Sequence, residues 1–180
     1  MASDRRVARL EEFLAERGEP LLHAAILLTG SREAGEDLLQ TALERTWRRL
    51  PTIDGDPEGY VRRALYNLAA DGWRRRGRWR ARLALLRGAH DQIEPDRSAQ
   101  VDQRDELVRL LLRLPPRQRA AIVLRYWEDL TEAEAAEVLG CSPSTVSSSV
   151  ARGLRRLREL SGPSPAAAIQ LTQHEGTARS

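Results

Sequence analysis

TEAEAAEVLGCSPSTVSSSVARGLRRLR, residues 131–158, describes two short helices and the turn between them. Thr131 and Glu134 have the spacing of a capping box, in which the Thr hydroxyl accepts from the backbone three residues on and the Glu side chain reaches back. A helix therefore starts at about Glu132. Gly140 suits the left-handed position past its end, while Ser142 and Pro143 supply an N-cap and a first helical residue with pre-set φ. In the second helix Val146, Val150, Leu154 and Leu157 fall on one face, predicted to pack on Ala135, Ala136 and Leu139. The opposite face carries Ser144, Thr145, Ser148, Ala151, Arg152 and Arg155, with Arg156 at its edge. Short hydroxyls and guanidiniums suit a major groove and its phosphates, so the pattern is that of a DNA-recognising helix-turn-helix.

The 180 residues allow one domain or two small ones. All 29 basic residues are Arg and the formal net charge is only +3, but charge is segregated along the chain. Residues 60–87 hold nine Arg against one acid, Asp71, whereas residues 128–137 hold five acids and no base. Local field matters more than net charge for nucleic-acid contact. Cys141 is the single cysteine, which excludes an intrachain disulfide and leaves too few thiols for a Cys-based metal site. No stretch approaches the roughly 20 apolar residues of a membrane span, and the first residues lack a signal-peptide apolar region. The expected location is the cytoplasm, without membrane insertion.

Working outward, residues 7–29 show helical spacing, with Gly18 to Pro20 as a candidate break and Gly30 as the stop. Ser31 caps a helix that runs to Leu50, where Pro51 stops it, and Asp56 and Pro57 open a third. That helix turns Val61, Ala64, Leu65, Leu68 and Ala69 inward and frays into an Arg-rich run ending near Arg82. Residues 88–104 have the composition of a flexible linker. The second unit is a helix from about Asp105 to Leu114, a restart after Pro115 and Pro116, and then the opening motif. The fold class is all-α: a helical domain over residues 1–82, a flexible linker over 83–104, a helix-turn-helix domain over 105–160, and a tail over 161–180 expected to be disordered.

The helix from Tyr60 to Arg82 holds four of the chain's eight aromatics, Tyr60, Tyr66, Trp73 and Trp79, among eight arginines. Aromatic faces hold unstacked bases at about 1–3 kcal/mol each, and guanidiniums track phosphates. Read as core anchors instead, Tyr60 and Trp73 would leave the arginines as a solvated helix end. The cluster as a whole favours nucleic acid. The preceding helix sets Glu36, Asp37, Gln40, Thr41 and Glu44 beside a broad apolar stripe of Leu38, Leu39, Ala42, Leu43, Thr46 and Trp47, and two nucleic-acid surfaces in one small protein call for a protein platform.

Three stretches together, GEDLLQTALERTWRRL (35–50), YVRRALYNLAADGWRRR (60–76) and LPPRQRAAIVLRYWEDLTEAEAAEVLGCSPSTV (114–146), resemble bacterial sigma factors of the sigma-70 family, in the extracytoplasmic-function group. The resemblance implies a subunit that binds core RNA polymerase, through the β′ clamp helices and the β flap, and directs recognition and opening of promoter DNA. By motif position it implies polymerase contacts at Asp37, Gln40, Thr41 and Trp47. It places the minus-ten element near Asn67, Asp71, Trp73, Arg74, Arg75 and Arg76, with Tyr66 from the aromatic cluster beside them. The minus-35 duplex falls to Ser144, Thr145, Ser147, Ser148, Ala151, Arg152, Arg155 and Arg156. An anti-sigma protein is a further candidate partner. The chain departs from the family where a basic residue often follows the Thr-Val of the recognition helix: here stand Ser147, Ser148 and Ser149, which shifts phosphate contact to Arg152, Arg155 and Arg156.

Opening by such a subunit follows from preferential binding of the unstacked strand and needs no nucleotide hydrolysis by the chain. A rival reading is a helix-turn-helix repressor or activator that acts without polymerase, which leaves the aromatic-Arg helix unexplained. Enzymatic chemistry has little to stand on: His23, His90 and His174 lack metal-ligand spacing and there is no Walker-type phosphate loop. No cofactor is implied.

Overall fold

Every cap expected from the sequence forms. In the computed structural model, which describes residues 2–53, 56–87 and 103–161 with side chains over 5–53, 56–75 and 106–160, these residues build seven α-helices and no strand. Helix α1 (Ala2–Thr29) ends at Gly30, whose φ is +101°. The Ser31 hydroxyl accepts from the Ala34 N–H to start α2 (Arg32–Arg49), and Pro51 falls in the 3-10 turn Leu50–Thr52 that stops it. Asp56 accepts from the backbone of Glu58 and Gly59 at the mouth of α3 (Pro57–Arg87). Helix α4 (Gln103–Leu112) precedes α5 (Pro116–Ile122), which opens on a proline. The Thr131 and Glu134 box, with both bonds made, starts α6 (Glu132–Leu139), and Gly140 at φ +62° ends it. Helix α7 (Pro143–Ser161) completes the motif.

Three features differ from the sequence reading. Helix α1 runs through Gly18 and Pro20 without a break. Phe13, Leu21, Ala24, Ala25 and Leu28 are all buried on its inner face, and burial of that apolar stripe, at about 1.5–3 kcal/mol for each large side chain, outweighs the one hydrogen bond that proline removes. Helix α3 continues to Arg87, five residues past the expected end at Arg82, and α4 begins at Gln103. Between them, residues 88–102 of the expected linker lie outside the described residues, as do 162–180 of the expected tail. Third, α5 passes into a π turn, Val123–Trp127, closed by the Glu128 N–H on the Val123 carbonyl at 3.1 Å. Asp129 then takes a left-handed φ of +54°, a region Asp tolerates better than most residues, and the chain reverses into α6.

Helices α1 to α3 form one lobe and α4 to α7 a second, and the two pack against each other. Their apolar interiors merge into one core that runs from Leu10 and Phe13 through Leu27 and Leu28 to Leu107, Leu111, Ile122 and Val123. Helix α1 meets α4 and the π turn, while α3 meets α5 and α6. Within the second lobe α7 rests on α5 as well as on α6. A Cβ added at Gly153 would stand 2.6 Å from Ile122 Cδ1 and 3.3 Å from Gln118 Cβ, so α7 approaches α5 closely here and a side chain at this position would have to displace the end of Ile122.

Candidate nucleic-acid interface

Helix α7 separates its residues by face as the period requires. Val146, Ser149, Gly153 and Leu157 are buried, with Val150 and Leu154 packed at the margin. Ser144, Thr145, Ser147, Ser148, Ala151, Arg152, Arg155 and Arg156 are all exposed on the other side. The three-serine run is therefore divided: Ser147 and Ser148 look outward, whereas Ser149 is 7% exposed and belongs to the packing face. The outward hydroxyls of Ser144, Thr145 and Ser148 are already engaged locally. Ser142 Oγ lies 2.9 Å from Ser144 Oγ and 2.8 Å from Thr145 Oγ1. Arg152 donates from Nε to the Ser148 carbonyl at 3.1 Å and from its terminal nitrogen to Ser148 Oγ at 3.3 Å. Arg156 pairs with Glu159 at 2.9 Å. At the other end of the motif, hydrogen bonds from the Thr131 hydroxyl and then its backbone N–H hold the Glu134 carboxyl below its ordinary value.

Helix α2 presents a second surface. Asp37, Gln40, Thr41 and Trp47 are exposed on one stripe, together with Glu44, which accepts from Gln40 at 3.3 Å and from Arg48 at 3.1 Å. Leu38, Leu39 and Leu43 pack against the core behind them, with Ala42 and Thr46 fully buried. Trp47 is 56% exposed, and no other large apolar side chain among the described residues is so open. An indole on a polar helix face is a natural anchor for a protein partner.

On α3 the structure divides the residues assigned to the minus-ten element into two stripes. Arg63, Asn67, Asp71 and Arg74, spaced four, four and three apart, form the solvent stripe; Asp71 is half-buried and pairs with Arg74, and Arg75 is exposed beside them. Arg76 lies on α3 with its side chain outside the described residues. Tyr66 and Trp73 belong to the other stripe, which is a correction to the sequence reading. Tyr66 is 1% exposed and its hydroxyl donates to Glu128 Oε1 at 2.9 Å, so its ring is not open to a base. Burial, and then the neighbouring Glu128 charge, push the Tyr66 phenol well above its ordinary value. Trp73 is half-buried, with the Arg119 guanidinium 5.2 Å over its ring and an indole N–H that is buried without a hydrogen-bond partner. The spacing 62, 66, 73 already places Arg62, Tyr66 and Trp73 on one face, and that signal was present in the sequence.

The groups facing this stripe were not foreseen. Glu128 accepts from Arg62 Nε at 2.8 Å as well as from Tyr66. Arg119, 5% exposed, donates to the carbonyls of Leu111 (2.9 Å), Leu112 (3.0 Å), Leu114 (3.3 Å) and Leu28 (2.7 Å). One guanidinium thus satisfies the carbonyl ends of both α4 and α1, where the helix dipoles concentrate negative charge. Trp127 donates its indole N–H to the Pro20 carbonyl at 3.0 Å and meets the His23 ring edge-on.

These surfaces define a DNA-binding protein that also offers a face to a protein partner. Residues 14–79 match the profile of Sigma-70 region 2 and residues 104–157 that of Sigma-70 region 4. The RNA polymerase sigma-E factor of Streptomyces coelicolor is 36% identical over 155 residues, covering 85% of this chain and 86% of that protein. The ECF RNA polymerase sigma factor SigE of Mycolicibacterium smegmatis is 33% identical over 83% of this chain and 60% of its own length. Among solved structures, the sigma factor RpoE of Bartonella quintana, in complex with the anti-sigma factor NepR, superposes with a TM-score of 0.63 at 27% identity over 83% of this chain and 94% of that one. The chain belongs to the sigma-70 family, in its extracytoplasmic-function group, and is an RNA polymerase sigma factor that directs promoter recognition.

Proposed function

We propose that the three exposed surfaces divide the work of initiation. Residues 1–82 form the unit that docks on core polymerase and holds the minus-ten strand, and residues 105–160 the unit that anchors the minus-35 duplex. The α2 stripe of Asp37, Gln40, Thr41 and Trp47 meets the β′ clamp helices, and the second unit lies against the β flap. The solvent stripe of α3, Asn67 and Asp71 with Arg74 and Arg75, receives unpaired minus-ten bases and their phosphates, with Arg76 next along the chain. The α7 face from Ser144 to Arg156 enters the major groove of the minus-35 duplex. A sharp division of α7, with its eight outward residues exposed and its apolar face buried, is the observation that carries this reading.

Ser147 and Ser148 in place of a basic residue leave sequence-independent attraction to Arg152, Arg155 and Arg156. The chain works in the cytoplasm, performs no bond chemistry of its own, and is a target for an anti-sigma protein; no helix among the described residues is long and apolar enough to cross a membrane. In vitro transcription with core polymerase on a library of genomic promoters tests the assignment. Initiation from a restricted promoter set is expected. A free dimer that ignores core polymerase would overturn it.

A further inference from the structure

Near its start, α1 carries two arginines that none of the three surfaces uses. Arg6, half-buried, reaches 44 residues along the chain to donate from one terminal nitrogen to the Leu50 carbonyl at 3.1 Å, and to that of Pro51 at 2.7 Å. Those carbonyls stand at the end of α2, where a helix leaves acceptors unpaired and its dipole concentrates negative charge. Three residues on, Arg9 lies 3.5 Å from the Asp56 carboxylate and 3.6 Å from that of Glu58. Asp56 accepts from the N–H groups of Glu58 and Gly59, so Arg9 stands over the start of α3 as Arg6 stands over the end of α2. Two guanidiniums on one face of α1 thus hold both arms of the α2–α3 elbow, whose Leu50, Ile53 and Pro57 are buried.

The elbow sets a relation that initiation needs. The polymerase-facing stripe lies on α2 and the strand-facing stripe on α3, so the bend between them fixes where the unpaired strand is received relative to the docked enzyme. Strand binding opens the duplex only by the free energy with which the unpaired form is preferred, and any ordering of the elbow on engagement diminishes that preference. A brace that orders the elbow beforehand preserves it. The two arginines contribute unequally. The Arg9 pairs are long, exposed and open to screening by salt, which makes them weak. Arg6 makes two hydrogen bonds of ordinary length to uncharged acceptors, one of them partly buried, and salt screens these less.

We propose that Arg6, assisted by Arg9, is a positioning residue for promoter opening, which presets the α2–α3 bend so that the minus-ten strand is received in register with polymerase. The inference rests on the division of work between α2 and α3 given above.

The test uses the full chain, core polymerase and a promoter with a fluorescent base in the minus-ten element. Arg6→Met keeps the aliphatic stem and removes the donors. It should lower the extent of opening about threefold or more, as loss of hydrogen bonds from a charged group implies, and leave the Kd for core polymerase unchanged. Arg6→Lys should recover part of the loss, since an ammonium reaches a carbonyl as a single point charge. Arg9→Gln should have a smaller effect that fades at high salt. In a Cys141→Ser background, spin labels at Arg45→Cys on α2 and Arg63→Cys on α3, both exposed positions, read the bend directly. A narrow distance distribution is expected in the parent and a broader or displaced one with Arg6→Met. Unchanged opening in Arg6→Met, or a distribution it does not move, overturns the brace. So does a fall in opening matched by equal falls in polymerase affinity and helicity, the signature of a lobe that is merely destabilised. Asn67→Ala in the same assay tests the strand-facing stripe by itself: full opening there would count against the α3 reading, with Arg6→Met and the spin-label distances still deciding the brace.

Discussion

Arg119 was visible in the sequence only as one more arginine after Pro115 and Pro116, yet it holds four backbone carbonyls from two lobes. Its partner in the first lobe, Leu28, lies 91 residues away, and no local pattern announces such a pairing. Replacing it with Met should destabilise the protein by about 3 kcal/mol or more in denaturant unfolding, because buried carbonyls lose their donor. Lys should restore only part, since one ammonium cannot reproduce the planar fork. Trp47 was legible only through the family resemblance, because its spacing puts it with Leu39, Leu43 and Thr46 on the apolar stripe, whereas the structure leaves it 56% exposed. Trp47→Ala with Gln40→Ala should weaken binding to core polymerase while leaving the DNA affinity of the full chain's α7 surface intact; equal loss of both would contradict separate surfaces. Arg152 is engaged with Ser148 before any DNA arrives. At a mismatched base it can return to that partner instead of being stranded, so Arg152→Ala should soften preference within a randomised minus-35 library by less than the ~1–3 kcal/mol of a full bidentate base contact.

Helices were the most readable level, because their ends are chemical. Ser31, Asp56, Thr131 with Glu134, Gly140, and Ser142 with Pro143 each satisfy or terminate backbone groups locally, which is why the boundaries they mark agree with the structure. Thr131→Ala should cost about 1 kcal/mol of stability at neutral pH. Because Glu134 has its pKa lowered in the folded state, its contribution is present above the ordinary carboxyl value of 4.5 and is lost as pH falls through the lowered one. The gap between parent and Thr131→Ala in thermal unfolding should therefore narrow in acid. Long-range packing was less readable. Apolar spacing placed Val146 and Leu157 inward, but nothing in it showed that α7 leans on α5 through Gly153. Gly153→Leu should overpack that contact and destabilise by about 1–3 kcal/mol, measured by chemical denaturation, with α7 helicity retained. The π turn left no periodic trace either, since one extra residue per turn over five positions is indistinguishable from a helix end.

At the level of the molecule, two helical lobes were evident from composition, and their mutual packing was not. A stretch of mixed charge and little periodicity marks a boundary without saying whether the units on either side touch. The seam has its own pH signature. Tyr66 faces Arg62 and Glu128, and its raised pKa means that the stabilisation is full below the ordinary tyrosine value of 10.0 and is lost as pH rises beyond it, when a water-exposed phenol ionises and the buried one resists. Stability of the full chain should fall above that pH, and Tyr66→Phe should remove the part of the slope due to this group. The covalent connection matters as much as the contacts. Because the lobes share one chain with a short span between Arg87 and Gln103, each sees the other at an effective concentration of about millimolar. A single cut in that span would turn closure from a unimolecular event into a dilution-sensitive one, so the pieces should part at the low concentrations of a cell even though every contact of the seam remained chemically available.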